Sequence, residues 1–161
     1  MAFDAFLKLD GIPGESTADG HKDEIEILSF SFGEANFGTA SSGGGGGAGK
    51  VQMQDFHFTM AMSQASPKAF LACATGQHIK QGTLTVRKAG EKAADFLKIT
   101  LDEVLVSSFQ AAGQGTGTDL PMEELSLNFA KIQISYARQR PDGSLDTPIV
   151  VSFDRKTNTA G

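Results

Sequence analysis

VQMQDFHFTM, residues Val51 to Met60, sets apolar side chains at 51 and 53 and then at 56, 58 and 60, with polar ones between. A period of two puts one set on each face of an extended strand, whereas a helix would scatter these residues around its surface. Phe3 to Leu9, Glu24 to Phe32, Gly82 to Lys88, Phe96 to Leu101, Glu103 to Phe109, Glu124 to Tyr136 and Ile149 to Phe153 alternate in the same way and are rich in Phe, Ile, Val and Thr. This predicts an all-β protein, a compact barrel or sandwich of two sheets.

Three of these strands change phase. Val51 and Met53 give way to Phe56, Phe58 and Met60; Ile25 and Ile27 to Leu28, Phe30 and Phe32; Leu125, Leu127 and Phe129 to Ile132, Ile134 and Tyr136. One extra residue moves the apolar set to the other face, as a β-bulge does at a barrel corner. A strand covered on both faces, by the core and by another subunit, would give the same pattern. The sequence leaves both open.

SPKAFLACATGQ breaks the alternation. Ser66 is placed to cap a helix, Pro67 suits its first position and Gly76 its stop, which predicts one short flanking helix over about residues 67–75. Phe70, Leu71, Cys73 and Ala74 are expected to face the sheet, with Lys68 and Gln77 outside.

The chain has 161 residues, nineteen acidic against fourteen basic, a net charge of -5 and a single cysteine. That length suits one domain, 1–161. The charge opposes nucleic acid, and Cys73 makes no internal disulfide, which fits assembly in a reducing cytoplasm. Asp4 and Lys8 interrupt any apolar core of a signal peptide, and no apolar run is long enough for a membrane helix. The expectation is a protein that does not insert in a membrane and that leaves a cell, if it does, without the general export signal.

Upstream of Val51 lies SSGGGGGAGK, in which Gly44, Gly49 and Lys50 stand at phosphate-loop spacing. Val51 occupies the place of the Ser or Thr that would hold magnesium, and an alternating strand comes next where a helix should present its amides. A nucleotide-binding enzyme using Gly44 to Lys50 is therefore the alternative, not the first reading, and five consecutive glycines favour an extended loop at about residues 39–50. Cys73 with His57 or His78 would be a nucleophile and base, with Asp55 beside His57, but a thiol on the inner face of a helix is ordinarily inert. His21, His57 and His78 lack the paired spacing of a zinc site, and no Asp-rich calcium loop is present. Neither metal, cofactor nor catalytic residue is expected.

Taken in order, FLKLDGIPGESTADGHKDEIEILSFSFG, GGGGGAGKVQMQDFHFT, LTVRKAG, ITLDEVLVSS and LNFAKIQISY resemble the Hcp family, the hemolysin-coregulated proteins of bacterial type VI secretion, over nearly the whole chain. VVSFDRKTN fits more loosely, because members often carry Trp where Phe153 stands. The resemblance implies a β-barrel with one flanking helix and no enzymatic chemistry. It implies hexameric rings with a wide opening, stacked into the inner tube of a contractile apparatus beside spike and sheath components. Such a protein is made in the bacterial cytoplasm, is secreted by the type VI system, and holds effector proteins in the ring lumen.

The resemblance also assigns residues. The loop with Thr39, Gly43, Gly44, Gly45, Gly46, Gly47, Gly49 and Lys50 matches the family's extended loop, which reaches from one ring to the next; Lys50 would anchor its end through a carboxylate. Ser31 matches a position facing the ring opening, and Gln114, in the loop from Ala112 to Gly115, lies near a similar place.

Overall fold

In a computed structural model of the chain, the structure describes residues 3–38, 50–89, 93–117 and 119–161. The elements in order are β1 (Phe3–Leu9), β2 (Ile25–Ile27), β3 (Ser29–Ser31), β4 (Glu34–Ala35), β5 (Gln52–Met53), β6 (Phe56–Ala61), α1 (Ala65–Thr75), β7 (His78–Lys88), β8 (Ala94–Ala112), β9 (Met122–Asn128), β10 (Lys131–Tyr136), β11 (Ile149–Asp154) and β12 (Thr159–Ala160). No helix among the described residues is long and apolar enough to cross a membrane.

A ten-stranded sheet runs β12-β11-β10-β8-β7-β1-β2 and branches at β8 into β9, β6 and β3, while β4 and β5 form a separate pair. Every pairing is antiparallel. The all-β class and the single helix stand as expected, though the hydrogen-bonded ladder does not close into a cylinder.

β8 explains the branch. Its first half lies between β7 and β10, with Ile99 opposite Leu84 and Ile134; its second half pairs with β9 instead. Glu103, between the halves, has φ of 52°, a left-handed backbone turn that bends the strand. A single 19-residue strand therefore replaces the two expected over 96–101 and 103–109. The alternation on each side of the bend reads as two strands because the bend resets its phase.

The three phase slips are not bulges within a paired strand. β2 pairs with β1 and β3 with β6, and the chain changes partner at Leu28, which is exposed. Between β5 and β6 the chain leaves β4 for β3 and β9, and between β9 and β10 it keeps β8 on one edge while exchanging β6 for β11 on the other. Each slip marks a corner where the inward face is redefined. The register irregularities sit elsewhere, between Val86 and Arg87 and between Val106 and Ser108.

The core fills the angle between the two branches. Phe56, Phe58, Met60, Leu125 and Leu127 of one branch and Leu7, Leu84, Ile99 and Leu101 of the other are almost wholly buried. α1 lies across this core on a different face from the one expected. Ala65, Ser66, Ala69 and Ala72 are buried, Cys73 packs partly against the core, and Phe70, Leu71 and Ala74 are exposed. Small residues at i, i+4 and i+7 let the helix approach closely, and large ones would hold it off. Ser66 is not the cap either: Gln64 is, without a side-chain bond, while Gly76 closes the C-terminus at φ 67° as expected.

The connection from β1 to β2 is pinned by His21, which is buried and stacked on Phe6 with ring centroids 4.5 Å apart. Its Nδ1 lies 3.0 Å from Glu24 and its Nε2 3.1 Å from Asp95, at the start of β8. Arg87 Nε donates to the same Asp95 at 3.1 Å.

Candidate functional site

The outer face of the β3-β6-β9-β8 branch carries a shallow recess of about 760 Å³. Alternation decides what lines it: Phe56 and Phe58 point into the core, so His57 and Thr59 must point out. Register then aligns rows across the four strands. Ser31 faces His57, His57 faces Ser126, and Ser126 faces Ser108; alongside run Ser29, Thr59, Glu124 and Gln110.

The irregularity at Val106/Ser108 lets two consecutive residues, Ser107 and Ser108, both reach the hydroxyl of Ser126, at 2.7 and 2.5 Å. Ser107 Oγ donates to Asp55 Oδ2 at 2.6 Å, and Asn128 Nδ2 donates to Asp55 Oδ1 at 2.9 Å. Each hydroxyl has one proton and an ionised carboxylate only accepts, so the direction is fixed: Ser108 donates to Ser126, Ser126 to Ser107, Ser107 to Asp55. Ser29 and Thr59 share a further bond of 2.6 Å. Such a chain is cooperative and holds the floor rigid.

This arrangement suits contact rather than covalent chemistry. The serine protons run to Asp55 with no imidazole between, and His57 hydrogen-bonds to no Ser or Asp side chain among the described residues. Cys73 sits half-buried on α1. Lys50 is followed by the two-residue strand β5, not by a helix, which removes the anion-binding end that the phosphate-loop reading needs. No group of His, Cys, Asp and Glu among the described residues has the geometry of a metal site.

Of the residues singled out from the sequence, Ser31 lies in the recess and is exposed. Gln114 is also exposed but stands in the connection beyond β8, outside the recess lining, where its carbonyl accepts from Gly117 N at 3.3 Å. Thr39, Gly43, Gly44, Gly45, Gly46, Gly47 and Gly49 lie outside the described residues. Lys50 borders a separate groove with His78, Glu103, Arg155 and Lys156. Sequence reasoning missed His57 and Ser108 as recess residues, and the buried Ser126 that bonds to Ser108; the adjacent serines in VLVSSFQ, where alternation allows one, were the available signal.

It also missed Glu123, which is wholly buried beneath the start of α1. Ser66 Oγ donates to its Oε1, and Oε2 has no hydrogen-bond partner among the described residues. α1 has no acidic residue in its first turn, so this carboxylate on a neighbouring strand stands near the helix N-terminus in its place.

A third surface is apolar. Ile149, Val150 and Val151 of β11 are 72%, 51% and 59% exposed, and Tyr136 opposite Ile149 is 48% exposed. β12 pairs only with Phe153 and Asp154, so the edge of β11 at Ile149 to Val151 is unpaired among the described residues. Beside it, Val151, Phe153, Phe32 and Met53 line an apolar recess of about 160 Å³.

An open antiparallel sheet bent at one long strand, with one helix laid on small residues, is a fold shared with secreted proteins of type VI secretion systems. Residues 6–136 match the family described as "Type VI secretion system effector, Hcp", and the chain belongs to that family. It is similar to the protein Hcp1 of Pseudomonas aeruginosa, 45% identical over 147 residues that cover 91% of this chain and 90% of that one. A solved structure described as a type six secretion system protein superposes with a TM-score of 0.94 at 32% identity, covering 99% of this chain and all of the other. Hcp1 from Salmonella typhimurium superposes at 0.82 with 34% identity over the full length of both.

Proposed function

We propose that this protein is the ring-forming subunit of a type VI secretion inner tube: six copies close into a ring, rings stack, and the ring interior holds effector proteins. The exposed apolar edge of β11 carries this reading. Three consecutive aliphatic residues in the open on an unpaired strand edge invite aggregation in a monomer, and another copy covering them removes that liability. A ring brings together two different surfaces of the same chain, so β11 needs no self-complementarity.

The hydroxyl-rich recess around Ser31 and His57 is then the surface turned to the lumen. Hydroxyls that both donate and accept hold varied protein surfaces weakly, as a carrier that must release its cargo requires. The loop with Thr39 to Gly49 reaches the next ring, with Lys50 at its base. Spike and sheath proteins are the remaining partners, and the chain, one domain folded in the cytoplasm, leaves by the type VI route and catalyses nothing.

Light scattering on the eluting protein and negative-stain images test the reading. A hexamer mass and six-fold rings are the expected result; a monomer at tens of micromolar, with no rings on the grid, ends it.

A further inference from the structure

The two branches of the sheet differ in charge as well as in pairing. Of the fourteen Lys and Arg residues of the chain, none lies on β3, β6, β9 or the part of β8 beyond the bend, residues 104–112. The other branch carries Lys8, Lys80, Arg87, Lys88, Lys98 and Lys131. On the outer face of the β3-β6-β9-β8 branch the ionisable side chains among the described residues are Asp55, His57 and Glu124. Glu123 shares a strand with Glu124 but turns the other way, beneath α1. Two carboxylates against one imidazole leave this face acidic even with His57 counted as positive.

Glu124 is exposed in the recess, in register between Thr59 and Gln110. No ion pair or hydrogen bond occupies its carboxylate among the described residues. Asp55, one residue before β6, accepts from Ser107 at 2.6 Å and from Asn128 at 2.9 Å, which fixes its carboxylate without neutralising it. Thr59, the cross-strand partner of Glu124, stands four residues beyond Asp55, so the two carboxylates lie about 14 Å apart with His57 between their rows. An extended segment laid along the recess covers that span in about four residues.

We infer that the recess selects basic protein surfaces: Glu124, with Asp55 at the border, receives a lysine or arginine of the partner, while the hydroxyls around Ser31 take its polar groups. This rests on the reading of the recess as the cargo-holding face and names the class of cargo. In a ring the same face repeats around the opening, and a cleft walled by one sign of charge concentrates the opposite sign within it. Charge complementarity of this kind decides which partner is taken more than how tightly it is held, so release stays possible. Because Glu124 is open to water, the selection is salt-sensitive: raising ionic strength from about 0.05 M to about 0.5 M shortens the screening length from about 14 Å to about 4 Å.

The test uses the full chain and two labelled probes, a Gly/Ser peptide with evenly spaced lysines and the same peptide with glutamates in their place. Fluorescence anisotropy reads their binding at low and high salt. Glu124→Gln and Glu124→Lys alter the recess; Glu26→Lys, on an exposed position of β2 in the other branch, changes the net charge equally and serves as the control. Unaltered protein is expected to bind the lysine peptide in preference at low salt and to lose that preference at high salt. Glu124→Gln should weaken the lysine peptide about fivefold, and Glu124→Lys should remove the preference, while Glu26→Lys leaves it in place. Light scattering on the same samples reports the assembly separately: a monomer defeats the ring reading, yet the peptide comparison still decides the charge preference, because the face is complete in one chain. Unaltered protein that ignores the lysine peptide or binds both alike, Glu124 variants that bind as it does, or a control that loses as much as they do overturns the inference.

Discussion

Truncating the β11 edge, Ile149→Ser with Val151→Ser, separates assembly from folding. Both side chains lie on the face that includes Tyr136 and are 72% and 59% exposed in the isolated chain, so the fold draws little from them. Full burial of an aliphatic side chain contributes about 1.5–3 kcal/mol; the parts still open to water would contribute about 1.5 kcal/mol for Ile149 and about 1 kcal/mol for Val151 when a neighbour covers them. Their loss weakens each contact by about 2.5 kcal/mol, roughly seventyfold in the dissociation constant. Every subunit in a ring carries the same seam, so the effect recurs at each junction. Light scattering across a concentration series should show rings giving way to monomers, with thermal unfolding of the monomer unchanged within about 0.5 kcal/mol. Rings that persist at the same concentrations, or a monomer that unfolds much earlier, would refute the assignment of this edge to assembly.

Ser66→Ala leaves the buried Glu123 without its hydroxyl partner and should destabilise the fold by about 2–3 kcal/mol in urea unfolding, far more than a serine on a solvated helix face would cost. On α1, Ala69→Leu or Ala72→Leu should cost about 1–3 kcal/mol by pushing the helix off the core, whereas Leu71→Ser should change little. The two classes would change places if Phe70 and Leu71 faced inward. The turn from Arg138 to Asp146 should be sensitive to acid. A hydrogen bond from Arg140, then one from Arg138, lowers the Asp146 pKa, so the bridge contributes at and above the ordinary carboxylate range and is lost as pH falls through the lowered folded value. The protection of that turn's amides, measured as the ratio of the intrinsic exchange rate at each pH to the observed one, should fall below about pH 4 and be unchanged between about pH 6 and 8.

The regular part of the fold is legible in the chain because one face of each strand is buried and alternation is the direct trace of that. The helix is legible through Pro67 and Gly76, which act on the local backbone alone. Its orientation is not, because local hydrophobicity favours Phe70 and Leu71, while close packing against the sheet favours Ala65, Ala69 and Ala72. The phase slips are visible but ambiguous: a change of pairing partner and a bulge write the same one-residue shift. Glu103 gives no warning of the bend in β8, since a left-handed residue other than Gly carries no compositional mark.

The candidate site divides in the same way. Ser31 is placed by its resemblance to a family position, and the recess adds His57 and Ser108 because register carries them to it, with the buried Ser126 between them. The amino-acid order alone determined the β class, the family and the position of the helix, since each is written in residues near one another along the chain. The tertiary structure decided which strands meet at the bend in β8, which hydroxyls align, and that Glu123 lies buried against Ser66. Those features depend on residues tens of positions apart, and only the packed backbone sets the distances between them.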